Sequence, residues 1–239
     1  MARRPRESLP FLHLLPNMVT ILGLCAGLTS IRFAMDGHVT IAAALIVFSA
    51  LIDGLDGLLA RRLRATSEFG AELDSLSDFV CFGVAPALLV FRYGLHTDMG
   101  MGWIFGLVYA ICCCLRLARF NVSRGNPETA HHFVGVPAPA GAALALVPIF
   151  AANAGLFQMS QVPLMVGIWL GVVGLLMVSR VPTPSIKGVR VQREHAAWIM
   201  VGMALFVGLL LTMFWLTLFL ICMIYLSVVI FQGLRHRRF

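Results

Sequence analysis

Apolar runs of about 20 residues, separated by short polar segments, recur along the whole of this 239-residue chain. Each run is enough for one helix to cross roughly 30 Å of hydrocarbon. Hydrophobic residues make up 59% of the chain and charged residues only 12%, against about a quarter charged in a soluble domain. The chain therefore reads as an all-α, polytopic integral membrane bundle, with no room for a soluble domain between its spans.

Apolar runs and their breakers place eight spans at roughly 17–35, 40–61, 68–92, 100–120, 134–154, 162–179, 195–212 and 215–233. The last two come from one apolar stretch that either bends back between Thr212 and Trp215 or forms a single long helix. Arg3, Arg4 and Arg6 ahead of the first run imitate a signal peptide. The spans continue at once, so an uncleaved first membrane helix is expected. Gly23 and Gly27, Gly102 and Gly106, and Gly167 and Gly171 form small-xxx-small pairs suited to close helix contact within the chain.

Loop charge tests this layout independently, because short cytoplasmic loops collect Lys and Arg. With alternate loops assigned to the cytoplasm, the N-terminal tail, 61–64, 116–124, 180–193 and the C-terminal tail hold all of the 18 basic residues except Arg32 and Arg92. Both termini are then cytoplasmic, and the net charge of +7 faces anionic lipid headgroups, not nucleic acid. The cysteines (Cys25, Cys81, Cys112, Cys113, Cys114 and Cys222) lie in apolar segments without metal-ligand spacing and read as small buried hydrophobes.

One stretch breaks the apolar pattern: DGLDGLLARRLRATSEFGAELDSLSD, from Asp53 to Asp78. Asp53 and Asp56 are three apart and Asp74 and Asp78 four apart, so on helices each pair projects from one face. Two antiparallel neighbours would bring the four carboxylates to similar depth near the cytoplasmic side. An ionised side chain at mid-bilayer costs about 2.5–3.5 kcal/mol, hence roughly 10 kcal/mol for four, less near the interface. No lysine or arginine inside these two spans is placed to offset that. Two divalent cations supply +4 against −4, and hard oxygen donors suit Mg²⁺ or Mn²⁺. Gly57 and Ala60 clear the helix surface beside the carboxylates, and Arg61 stands one turn past Gly57, where it can grip phosphate oxygens. Ser67 is placed to N-cap the third span and Gly70 removes bulk beside it, while Glu68 and Glu72 face the headgroups.

The string Asp53-x2-Asp56-Gly57-x2-Ala60-Arg61-x8-Gly70-x3-Asp74-x3-Asp78 resembles the signature of the CDP-alcohol phosphotransferases, membrane enzymes of phospholipid synthesis, at every fixed position. Asn17-Met-Val-Thr20 resembles the NxxT that lines the nucleotide site of that family. Leu115–Asn121 and Phe133–Pro139 resemble segments of its serine-using members. The likeness covers spans one to five well and the last three by hydropathy alone.

The resemblance implies a single membrane-embedded domain over 1–239, with a six-helix catalytic core at about 15–180 and two added helices at about 195–233. It implies phosphatidyl transfer from CDP-diacylglycerol to the hydroxyl of L-serine in the cell (inner) membrane, by an enzyme that works as a homodimer with a cytoplasmic site. Asp53, Asp56 and Asp74 would ligate two divalent ions, Mg²⁺ or Mn²⁺. Asp78 would be the base and share in ligation. Asn17, Thr20, Gly57, Ala60, Arg61, Ser67 and Gly70 would hold the CDP-diacylglycerol, and a loop carrying Arg116, Arg119 and Asn121 would meet the acceptor. Glycerol 3-phosphate or inositol phosphate is the alternative acceptor within the family. Residue chemistry alone leaves open which carboxylate is the base, and a divalent-cation transporter is the competing reading from another class. His131 and His132 read as solvated loop histidines.

Overall fold

The computed structural model describes residues 14–63, 67–95, 99–124, 135–157, 162–179 and 196–236. Among them every regular element is helical: α1 Leu15–Met35, α2 Val39–Leu63, α3 Glu68–Leu95, α4 Met99–Arg124, α5 Ala138–Ala145, α6 Val147–Asn153, α7 Pro163–Val178, α8 Ala196–Thr212 and α9 Phe214–His236. The basic tail at 3–6, Arg64, the His131–His132 pair, Phe133, Val134, Lys187, Arg190 and Arg193 lie outside the described residues.

Five of these helices, α1, α2, α3, most of α4 and most of α9, are long and apolar enough to cross a membrane. The chain is thus a multi-pass membrane protein. α7 has 16 residues, or about 24 Å at 1.5 Å per residue. The 134–154 run is interrupted at Leu146, between α5 and α6, and the long C-terminal stretch breaks at Met213. There Thr217 Oγ1 donates to the Met213 and Leu209 carbonyls at 2.9 and 3.2 Å, the second across the break.

Two prolines show how the bundle satisfies its backbone without water. Pro86 has no N–H to offer the carbonyl four residues earlier, that of Phe82. The fully buried Tyr109 of α4 donates its hydroxyl to that oxygen at 2.7 Å. Pro148 leaves the Leu144 carbonyl similarly short of its helical partner, and Trp169 Nε1 of α7 donates to it at 2.8 Å. An orphaned carbonyl in hydrocarbon is costly, so each proline break is locked to a particular neighbouring helix. Tyr109→Phe is accordingly expected to lower unfolding stability in detergent by about 1 kcal/mol. Tyr93→Phe, on an exposed ring, should leave it unchanged.

Glycines set the helix spacing. A Cβ on Gly23 would sit 3.3 Å from Ile52 Cγ2, one on Gly27 would overlap Cys81 Sγ, and ones on Gly167 and Gly171 would press on the Phe105 ring. These pairs therefore pack inside the chain, drawing α1 against α2 and α3, and α7 against α4. Gly135, at φ +90°, brings its Cα so close to the end of α7 that a Cβ would lie 2.6 Å from the Met177 carbonyl oxygen. The Phe133–Pro139 segment needs glycine there for both reasons.

Cysteine placement departs from expectation. Cys81, Cys112, Cys113 and Cys222 are buried, but Cys25 and Cys114 are exposed. Both lie on outward arcs of α1 and α4, beside exposed Leu22, Ile111 and Leu115, where apolar side chains face lipid.

Candidate active site

α2 and α3 run antiparallel about a short connection, and α1 packs along both. Asp53 and Asp56 sit two to three turns before the end of α2, and Asp74 and Asp78 two to three turns into α3, so the four acids meet at one depth. Ser67 caps α3 in extended geometry, its Oγ accepting from the Gly70 N–H at 3.0 Å. That cap fixes where α3 begins, and with it the register of both aspartates.

One carboxylate oxygen from each of Asp53, Asp56 and Asp74 lies within 4.8 Å of the others. Asp56 is the most buried, at 6% exposure, and its Oδ2 accepts from Thr20 Oγ1 at 2.8 Å. Asp78 stands beside the triad with its side chain in hydrogen-bonding reach of Asp53. An all-oxygen set of this charge density fits a hard divalent cation. Immediately after Asp78 the helix widens into a π-helical stretch, Phe79–Val84. Such bulges are frequent at functional sites.

A cavity of about 340 Å³ opens onto Asp56 and Asp74, within the range of small-molecule sites. It is lined by Asn17, Thr20, Gly57, Ala60, Arg61, Ser67 and Gly70, and also by Pro16 and Ala71, which sequence reasoning missed. A Cβ on Gly57 would meet nothing nearer than Arg61 Nη1 at 3.9 Å, so that wall is open. Gly70 is small for a different reason. An added Cβ would fall 2.8 Å from Asn17 Oδ1 and 3.0 Å from Ser67 Oγ, so its absence lets α1 close onto the start of α3. Thr20 likewise holds a carboxylate as well as lining the cavity.

Behind the carboxylates lies a much smaller polar chamber, about 10 Å³, walled by Ser49, Ser77 and Cys81 among others. Cys81 Sγ donates to the Gly23 carbonyl at 3.4 Å. The hydroxyls there carried no sequence signal, since each is an isolated polar residue in an apolar run.

The expected acceptor loop is helix. Nothing between Leu115 and Arg124 breaks α4, and the first glycine after the run is Gly125. On this helix the three residues part company. Arg119 Nη1 donates to the Val178 carbonyl at 3.0 Å, capping the end of α7. Asn121 Oδ1 accepts from Ser75 Oγ at 3.0 Å, between the two aspartates of α3. Arg116 is half-buried and interacts electrostatically with Asp53 and Asp78. It is the nearby cation that α2 and α3 lack above the level of the carboxylates, supplied by a third helix.

A profile of the CDP-alcohol phosphatidyltransferases matches residues 13–179, which take in the carboxylates and every cavity residue. The chain belongs to the CDP-alcohol phosphatidyltransferase family. It is 38% identical over 235 residues, 95% of its own length and 77% of the relative's, to the CDP-diacylglycerol–serine O-phosphatidyltransferase of Mycobacterium leprae. Proteins of the same name from Helicobacter pylori and Bacillus subtilis are 35% and 32% identical over 75% and 78% of this chain, and over 75% and 95% of their own lengths. A phosphatidyltransferase family accounts for an arginine and two helix-clearing small residues set among the acids, which a cation path does not.

Proposed function

We propose that this phosphatidyltransferase moves the phosphatidyl group of CDP-diacylglycerol to the hydroxyl of L-serine, releasing CMP. The observation that carries the reading is a cavity lined by Arg61 that opens directly onto a carboxylate triad. The names of the relatives support serine as the acceptor.

In this reading Asn17, Thr20, Ser67 and Gly70 hold the nucleotide end, and Arg61 pairs with diphosphate oxygens over the low wall made by Gly57 and Ala60. Acyl chains stay in the bilayer, so the lipid is never extracted. Asp53, Asp56 and Asp74, with Asp78 beside them, hold two divalent ions, Mg²⁺ or Mn²⁺. The chemistry such ions supply is neutralisation of the diphosphate and stabilisation of the departing phosphate oxygen. Asp78 takes the proton of the serine hydroxyl as its oxygen bonds to the lipid-side phosphorus, and the bond from that phosphorus to CMP breaks. Arg116 and Asn121 face the acceptor; Arg119 is a structural cap.

The same reading gives eight spans, a six-helix core at about 15–180, two added helices and one domain. It also places a cytoplasmic site in a homodimer of the inner membrane, with both termini on the cytoplasmic side. The test is CMP release from CDP-diacylglycerol by the detergent-purified protein with Mn²⁺ or Mg²⁺, given serine, glycerol 3-phosphate or inositol phosphate in parallel. Release with serine alone is expected. Release with a phosphorylated polyol alone would reassign the acceptor.

A further inference from the structure

The matched family region ends at residue 179, yet the chain continues into α9, and one side chain there is poorly explained by packing. Tyr225 lies against the core with its ring half-buried, and its hydroxyl oxygen is buried without a hydrogen-bond partner among the described residues. Elsewhere this bundle matches buried aromatic donors to acceptors: Tyr109 and Trp169 each reach an orphaned carbonyl. Tyr225 reaches none. Its electrostatic neighbour is Arg116, whose guanidinium in turn lies in the field of Asp53 and Asp78.

We infer that Tyr225, on the C-terminal helix outside the family core, completes with Arg116 a subsite for the carboxylate of an amino-acid acceptor. The inference rests on the serine reading above and adds to it a determinant from α9.

The chemistry of the acceptor requires such a group. In serine only two carbon atoms separate the hydroxyl from the carboxylate, so whatever binds the carboxylate stands close to the base. Arg116 interacts electrostatically with Asp78 across more than 4.0 Å and makes no ion pair within that distance among the described residues. A guanidinium offers a carboxylate two parallel donors, and a phenol adds a third without bringing more charge to a site already crowded with it. A buried hydroxyl with no internal acceptor carries a desolvation cost that an acceptor arriving with substrate relieves. By contrast, a phosphorylated polyol presents a dianion, for which one arginine and a phenol are a poor match.

Tyr225→Phe keeps the ring and removes only the donor. In purified protein with saturating CDP-diacylglycerol and Mn²⁺, the KM for L-serine should rise about tenfold, while kcat and the KM for CDP-diacylglycerol hold. Thermal unfolding of the variant should match the parent. A loss of kcat or of CDP-diacylglycerol affinity with KM for serine unchanged, or no kinetic change at all, would overturn the subsite. The underlying reading fails separately and visibly, if the unmodified protein releases no CMP with serine.

Discussion

Asp78→Asn is expected to lower serine-dependent CMP release by about 10²–10⁴-fold and to leave CDP-diacylglycerol binding in place. That magnitude is what a positioned general base contributes. The expectation follows from how Asp78 differs from its three companions. It stands outside the oxygen triad of Asp53, Asp56 and Asp74, beside Asp53 and in the field of Arg116. It does not line the cavity proposed to receive the lipid headgroup. Asparagine preserves size and hydrogen bonding but cannot take a proton from the acceptor. Turnover is read by CMP release and binding by protection of the protein against thermal unfolding by CDP-diacylglycerol. Full turnover in the variant would remove Asp78 from the role of base.

Asp56→Asn carries a different signature, because Asp56 is held by Thr20 and belongs to the triad. Loss of a group that merely orients a metal ligand costs about 10–100-fold in affinity or activity. Removing the ligand itself should cost more than about 100-fold in Mn²⁺ affinity. Thr20→Val should fall inside the smaller range. Stability moves the opposite way without metal. Four carboxylates repel one another in a poorly solvated site, so neutralising one relieves the apo protein. Asp56→Asn is therefore expected to unfold at a higher temperature than the parent in EDTA, and to lose most of the stabilisation that Mn²⁺ gives the parent by mass action. A parent-like gain with Mn²⁺ would show that Asp56 is no ligand.

Five of the spans and the acidic site were legible because both rest on local periodicity. Hydropathy finds apolar runs of bilayer length, and DxxD and DxxxD spacing fixes which side chains share a helix face. The Ser67 cap and the Gly23–Gly27 and Gly167–Gly171 pairs were likewise readable, being short-range signals. What stayed hidden depends on which helices meet. Nothing in the sequence near Pro86 says that Tyr109, 23 residues on, will satisfy the Phe82 carbonyl. Nor does anything near Pro148 point to Trp169. Arg116 and Arg119 are one turn apart in an unbroken helical run, yet one faces the carboxylates and the other the end of α7. Loop charge could not separate them, and only packing assigns their roles. Gly70 was legible as a need for smallness but not for its cause, the approach of Asn17 from α1. The break at Leu146 is half-legible, since Pro148 announces an interrupted helix without fixing its partner.

Acids from α2 and α3 are proposed to stay ionised in the membrane by holding divalent cations against the cavity. Crystals of the protein grown with Mn²⁺ and measured at an anomalous wavelength test this directly. Anomalous peaks bounded by Asp53, Asp56 and Asp74, with Asp78 adjoining, are the predicted result. An empty map at those carboxylates under conditions that support turnover, or full CMP release from exhaustively chelated protein, would contradict it.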